Sequence, residues 1–170
     1  MEKVNPVDCN LEEKINKAIE IAKKSKEEIK VGAVVYSEDG ELLTASYNIM
    51  IERFIPEGVT VTNENRHEHI KHAEDYALYL TDLFTLNPMN GTIVIAGKCP
   101  CMGCAEKIVQ YGIKRVLCPE PDKNSKWVKS NSSAIDYLES NGVTVIFIDE
   151  LKGLEEGLTC PSRYQQPETN

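Results

Sequence analysis

The sequence predicts an α/β protein, a three-layer α/β/α sandwich around a mixed sheet of about five strands. The hydrophobic period switches between helical and strand-like several times along the chain. The later strands are short β-branched and aliphatic runs without polar alternation, the pattern of strands covered on both faces. They alternate with helices, which favours parallel neighbours, whereas the first two strands lie close enough for an antiparallel hairpin. A chain of 170 residues suits one domain, and 41% hydrophobic residues suffice to build its core.

Residues 11–28 read as an amphipathic helix. Leu11, Ile15, Ala18, Ile19 and Ala22 recur at helical spacing, and Asn10 followed by Glu13 has the spacing of a capping box. A hairpin follows, with strands over 30–37 and 41–48 and a turn at Glu38-Asp39-Gly40. Residues 49–66 contain Pro56 and Gly58, show no sustained period and read as a long loop. Helical spacing returns from about 69 to 84, with Ala73, Ala77, Leu80 and Phe84 on one stripe, and Asn87-Pro88 ends it. A buried strand over 91–97 leads to a helix over 102–111, closed by Gly112. A strand over 114–118, a helix over 132–140 and a strand over 143–149 complete the domain of residues 11–150. Residues 1–10 form a terminal segment and residues 151–170 a polar tail.

Acidic residues number 27 against 19 basic ones, a net charge of −8. That disfavours a sequence-independent nucleic-acid binder, which needs a broad basic face. A small anionic substrate needs only a few well-placed donors and is compatible with this charge. No apolar run approaches the roughly 20 residues of a membrane span, and the first residues lack the apolar core of a signal peptide. The expectation is a soluble cytoplasmic protein, with neither a membrane nor a polymeric nucleic acid as partner. Disulfides are rare in that compartment, so clustered Cys and His residues point to metal or catalysis.

Two such clusters exist. His67, His69 and His72 fall within six positions, as do Cys99, Cys101 and Cys104. His72-Ala73-Glu74 opens the second helix, and Pro100-Cys101-Met102-Gly103-Cys104 opens the third. In an α/β sheet these helix starts face the carboxyl edge of the strands, where such folds place ligands. A helix N-terminus favours the thiolate form of cysteine. One imidazole and two thiolates make three ligands, whereas structural zinc normally takes four. Three ligands, with a carboxylate two residues from the histidine, form the arrangement for zinc-activated water and a general base. A lone CxxC would equally suit a redox pair or half a structural zinc site; the upstream His-Ala-Glu favours catalysis.

His72-Ala73-Glu74 with Pro100-Cys101-x-x-Cys104 resembles the H-x-E…P-C-x-x-C signature of the zinc-dependent nucleoside and nucleotide deaminases. The stretches KVGAVVYSEDGELLTASYN and CAEKIVQYGIKRVLCPEPD are similar to further parts of that family. Residues 11–149 can be laid along its deoxycytidylate (dCMP) deaminase branch. The resemblance implies a cytidine-deaminase-like fold and hydrolytic deamination of a free cytosine nucleotide, dCMP to dUMP and ammonia. It assigns the zinc ligands to His72, Cys101 and Cys104, and the proton shuttle to Glu74. It places the Ala73 backbone against the base and Asn48 against the sugar hydroxyl. It also implies a homo-oligomer. Family members commonly continue the first motif with x-N-A, where this chain has Asp75-Tyr76-Ala77.

A nucleotide phosphate requires donors at the pocket mouth, and Arg66 is the first candidate among Arg53, Arg66 and Lys71. The resemblance allows a second, structural zinc near His67 and His69, but with no thiol nearby in sequence they read as a polar rim, and Cys118 reads as a small buried hydrophobe. Cys9 and Cys160 read as surface thiols. Trp127 either closes over the base or packs the last helix. The alternatives are deamination of another base, nucleoside or polynucleotide, and a non-catalytic zinc-bearing nucleotide-binding scaffold.

Overall fold

The computed structural model describes residues 10–148. Both terminal segments expected from the sequence, with Cys9 and Cys160, lie outside the described residues apart from Asn10. Helix α1 (Leu11–Ala22) precedes the hairpin of β1 (Gly32–Tyr36) and β2 (Leu42–Tyr47). Two short strands follow, β3 (Ile49–Met50) and β4 (Ile70–Lys71), and then α2 (Ala73–Leu83). The chain continues through β5 (Thr92–Ala96), α3 (Met102–Gln110), β6 (Arg115–Cys118), α4 (Val128–Ser140) and β7 (Thr144–Phe147).

Five strands form one sheet in the order β2-β1-β5-β6-β7. The β1 strand is antiparallel to β2 and to β5, and β5, β6 and β7 are mutually parallel. This is the expected mixed sheet.

Successive side chains on a strand face opposite sides, so each strand serves two cores. Val34, Tyr36, Val94, Ala96, Leu117 and Ile146 pack against Leu11, Ile15, Ala18, Ile21 and Ala22 of α1. Ala33, Val35, Ile93, Ile95 and Val116 point the other way, into a core completed by α2, α3 and α4. Among the described residues the sandwich is therefore asymmetric, with one helix above the sheet and three below. Gly32 permits the close approach of α1, since a Cβ there would fall on backbone atoms of Ala18 and Ala22.

Three boundaries differ from the sequence reading, each for a tertiary reason. Helix α1 stops at Ala22 rather than near residue 28. Ser25 is buried just beyond it, and its hydroxyl donates to the Asn48 carbonyl at 2.9 Å while accepting from the Glu27 N–H. That contact draws the chain across to the hairpin. The 49–66 loop is partly ordered by pairing of β3 with β4, so Ile70–Lys71 are strand and α2 begins only at Ala73. Helix α4 begins at Val128, four residues earlier than expected. Its buried stripe is Asn131, Ala134, Ile135 and Leu138. The spacing is helical, but its first member is polar, and that concealed the first turn.

Among the described residues, no helix is long and apolar enough to cross a membrane.

Candidate metal centre and active site

Two helix starts meet at one edge of the sheet. His72 is the residue before α2 and has extended backbone, with φ −67° and ψ 146°. Cys101 stands in the same relation to α3, with φ −83° and ψ 171°. Cys104 lies in the first turn of α3. Thr44 of β2 anchors α2 to the sheet, its hydroxyl donating to the Ala77 carbonyl at 2.8 Å. On the other side, Gly97 turns the chain out of β5 at φ +101°, where a Cβ would strike the Lys30 carbonyl.

The His72 Nδ1 atom lies 3.5 Å from Cys101 Sγ and 3.4 Å from Cys104 Sγ. All three ligand atoms fall within 4.8 Å of one another. Tetrahedral zinc, with Zn–S near 2.3 Å and Zn–N near 2.0 Å, requires N···S separations of about 3.5 Å. The side chains therefore already hold zinc-ligand spacing. Exposure falls across the group: His72 is exposed, Cys101 intermediate and Cys104 buried.

The electrostatics favour one ready thiolate. The Cys101 thiol is lowered to about 3, chiefly by a hydrogen bond from Cys104 and also by one from His72. His72 is raised, mainly by that same contact with Cys101. Cys104 is raised by its place in the thiol pair and by burial. Glu74, 4% exposed, is raised by desolvation. A carboxyl in that environment readily takes up a proton.

A cleft of about 360 Å³ opens beside these groups. Its lining includes His72, Cys101 and Cys104, and also Phe54, Lys71 and Lys107. Asp75 holds both lysines, pairing closely with Lys107 and lying 3.8 Å from the Lys71 ammonium. The sequence reading missed Lys107; the available signal was its position one helical turn beyond Cys104.

Other expected site residues have different surroundings. Asn48 accepts from the Val31 N–H at 2.9 Å and donates to the Ile29 carbonyl at 2.7 Å, so it clamps the entry to β1. Ala73 is fully buried at the start of α2. Arg66 does not line the cleft. Its guanidinium donates two bonds to Glu27, at 3.1 and 2.7 Å. Glu68 and His69 border the cleft, but the one group of three or more candidate metal ligands among the described residues is His72, Cys101 and Cys104. Tyr76 is half-buried and stacks on Tyr79 at 5.9 Å, with Phe54 edge-on to it. Trp127 is exposed between Lys98 and Lys126 rather than packed in the core. Cys118 is fully buried in the core, as expected.

Residues 9–120 match the model of the cytidine and deoxycytidylate deaminase zinc-binding region. The match covers more than half of the chain, and the chain belongs to that family. An uncharacterised deaminase from the luxG 3′ region of Aliivibrio fischeri is 29% identical over 125 residues, covering 69% of this chain and 78% of the relative. The dCMP deaminase of the cyanophage S-TIM5 in apo form superposes with a TM-score of 0.61 at 24% identity, over 80% of this chain and 94% of that one. Its complex with dCMP and dUMP gives 0.63 at 22% identity, over 81% and 95%. A Thermotoga maritima diaminohydroxyphosphoribosylaminopyrimidine deaminase/reductase gives 0.62 at 22% identity, over 86% of this chain and 39% of that one. At these identities the structural likeness establishes a shared fold.

Proposed function

We propose that this member of the cytidine and deoxycytidylate deaminase family hydrolyses the exocyclic amine of a free cytosine nucleotide, converting dCMP and water to dUMP and ammonia. The observation that carries the reading is the convergence of His72, Cys101 and Cys104 at zinc-ligand spacing, with the buried Glu74 two residues from the histidine. Zinc in that site supplies Lewis acidity, which lowers the pKa of water from roughly 15.7 to about 7.

The remaining work falls to the chain itself. Glu74 accepts the proton of the attacking water, delivers it to N3 of the ring and then helps protonate the departing amine. Its raised affinity for protons, caused by burial, suits each of these transfers. The C4–O bond forms first; as the C4–N bond then breaks, Glu74 passes the proton of the new C4 hydroxyl to the leaving amine, so one water is consumed and one ammonia released. The backbone of Ala73 orients the base. Asn48 has a second amide hydrogen beyond the one given to Ile29, and this contacts the sugar hydroxyl. Lys71 and Lys107 line the cleft and receive the phosphate. Arg66 assists from a distance, since two of its donors are committed to Glu27.

Ammonia release across dCMP, CMP, cytidine, cytosine, guanine and single-stranded oligonucleotides tests the substrate class. Highest turnover is expected with dCMP; turnover with an oligonucleotide and none with dCMP would overturn the reading. Glu74→Ala is expected to retain one zinc per chain and lose about 10²–10⁴-fold in turnover. Nucleotide binding without ammonia release across the panel would identify a scaffold rather than an enzyme.

A further inference from the structure

One buried polar residue beside the site takes no part in the chemistry above. Asn131 is 2% exposed and occupies a core position on α4. Its amide donates to the Pro100 carbonyl at 2.9 Å and to the Cys99 carbonyl at 3.1 Å. Those carbonyls belong to the two residues before Cys101. On the other side of Cys101, the Met102 N–H donates to the Ser130 hydroxyl at 3.5 Å. Before the motif, the Lys98 ammonium lies 5.2 Å from the Trp127 ring. Lys98, Cys99, Pro100 and Met102 are thus each tied directly to the start of α4 or the residue before it, and Cys101 lies between two of them. A hydrocarbon at position 131 would fit an apolar core, but it would forfeit both carbonyl bonds.

We propose that Asn131 is a positioning residue for the metal centre: from α4 it fixes the turn that carries Cys101 and Cys104, so that both sulfurs meet His72 at tetrahedral spacing. The inference rests on the reading that these three residues hold zinc. Partners that orient metal ligands commonly set metal affinity as well.

The test uses the full-length, zinc-loaded protein and measures zinc transfer to excess chelator. Asn131→Leu is expected to speed release about 10–100-fold and to shift the thiolate-to-metal absorption of the cobalt-substituted protein. Leu138→Ala, at a fully buried position on the same helix, serves as the control for general destabilisation. It is expected to lower the melting temperature at least as much, yet to leave the release rate and the cobalt spectrum near wild type. Asn131→Asp keeps the shape but turns an acceptor toward the two carbonyls, and it carries the same expectation should the leucine variant not fold. Wild-type release and an unshifted spectrum in the Asn131 variants would overturn the proposal alone. Equal acceleration by Leu138→Ala would also overturn it. A wild-type protein that holds no stoichiometric zinc would overturn both the proposal and the site reading beneath it.

Discussion

The two arms of the metal centre are held in different ways. The thiolate arm follows β5, whose five residues are all buried between β1 and β6, and it is clamped from behind by α4. The histidine arm follows β4, which is paired to β3 through only Ile49↔Lys71 and Met50↔Ile70. All four of those residues are partly exposed. The same light ribbon and its flanks supply Phe54, Glu68, His69, Ile70 and Lys71 to the cleft wall. The thiolate arm thus fixes two of the three candidate metal ligands, while the ribbon before the histidine arm forms much of the cleft wall.

Loss of a thiolate has the largest expected effect. Cys104→Ala removes the most buried ligand, and zinc content by elemental analysis is expected to fall from about one per chain toward zero, with turnover lost. Full zinc retention would show that the thiolate arm is not the anchor. Next comes a matched pair in the two arms. Ile95→Ala in β5 is expected to cost about 2–5 kcal/mol in urea unfolding, because its side chain is fully buried. Ile70→Ala in β4 is expected to cost about 0.5 kcal/mol, as for other partly exposed sites, while still raising KM. Equal losses of stability would break the contrast between the arms.

The smallest effects separate the candidate phosphate contacts. Lys107→Ala is expected to raise KM for dCMP several-fold. Arg66→Ala is expected to alter KM less and to cost at most about 1 kcal/mol, since the arginine side chain is 44% exposed. The reverse order in steady-state kinetics would move the phosphate from the lysines to Arg66.

What was legible in the sequence follows the reach of each interaction. His72, Glu74, Cys101 and Cys104 stood out because each pair lies within one helical turn of chain. The mixed character of the sheet, an antiparallel hairpin beside parallel strands, followed from the alternation of elements. The β3–β4 ribbon did not, because strands of two residues have no period to detect. The start of α4 was hidden because Asn131 fills a core position whose polar bonds reach back to residues 99 and 100. Arg66 looked available in sequence because its partner Glu27 lies 39 residues away. Lys107 was overlooked for a related reason, since only the approach of α2 to α3 brings it to Asp75.

The gradient of exposure from His72 to Cys104 gives the centre a direction. An ion arriving from solvent meets the imidazole first and the inner sulfur last, and an ion departing follows the reverse course. Thiol reagents and oxidants travel the same path, so they reach Cys101 before Cys104. The centre therefore has a front and a back. Metal exchange begins at the front, on the imidazole, whereas chemical damage to the sulfurs begins at Cys101, on the arm that α4 clamps.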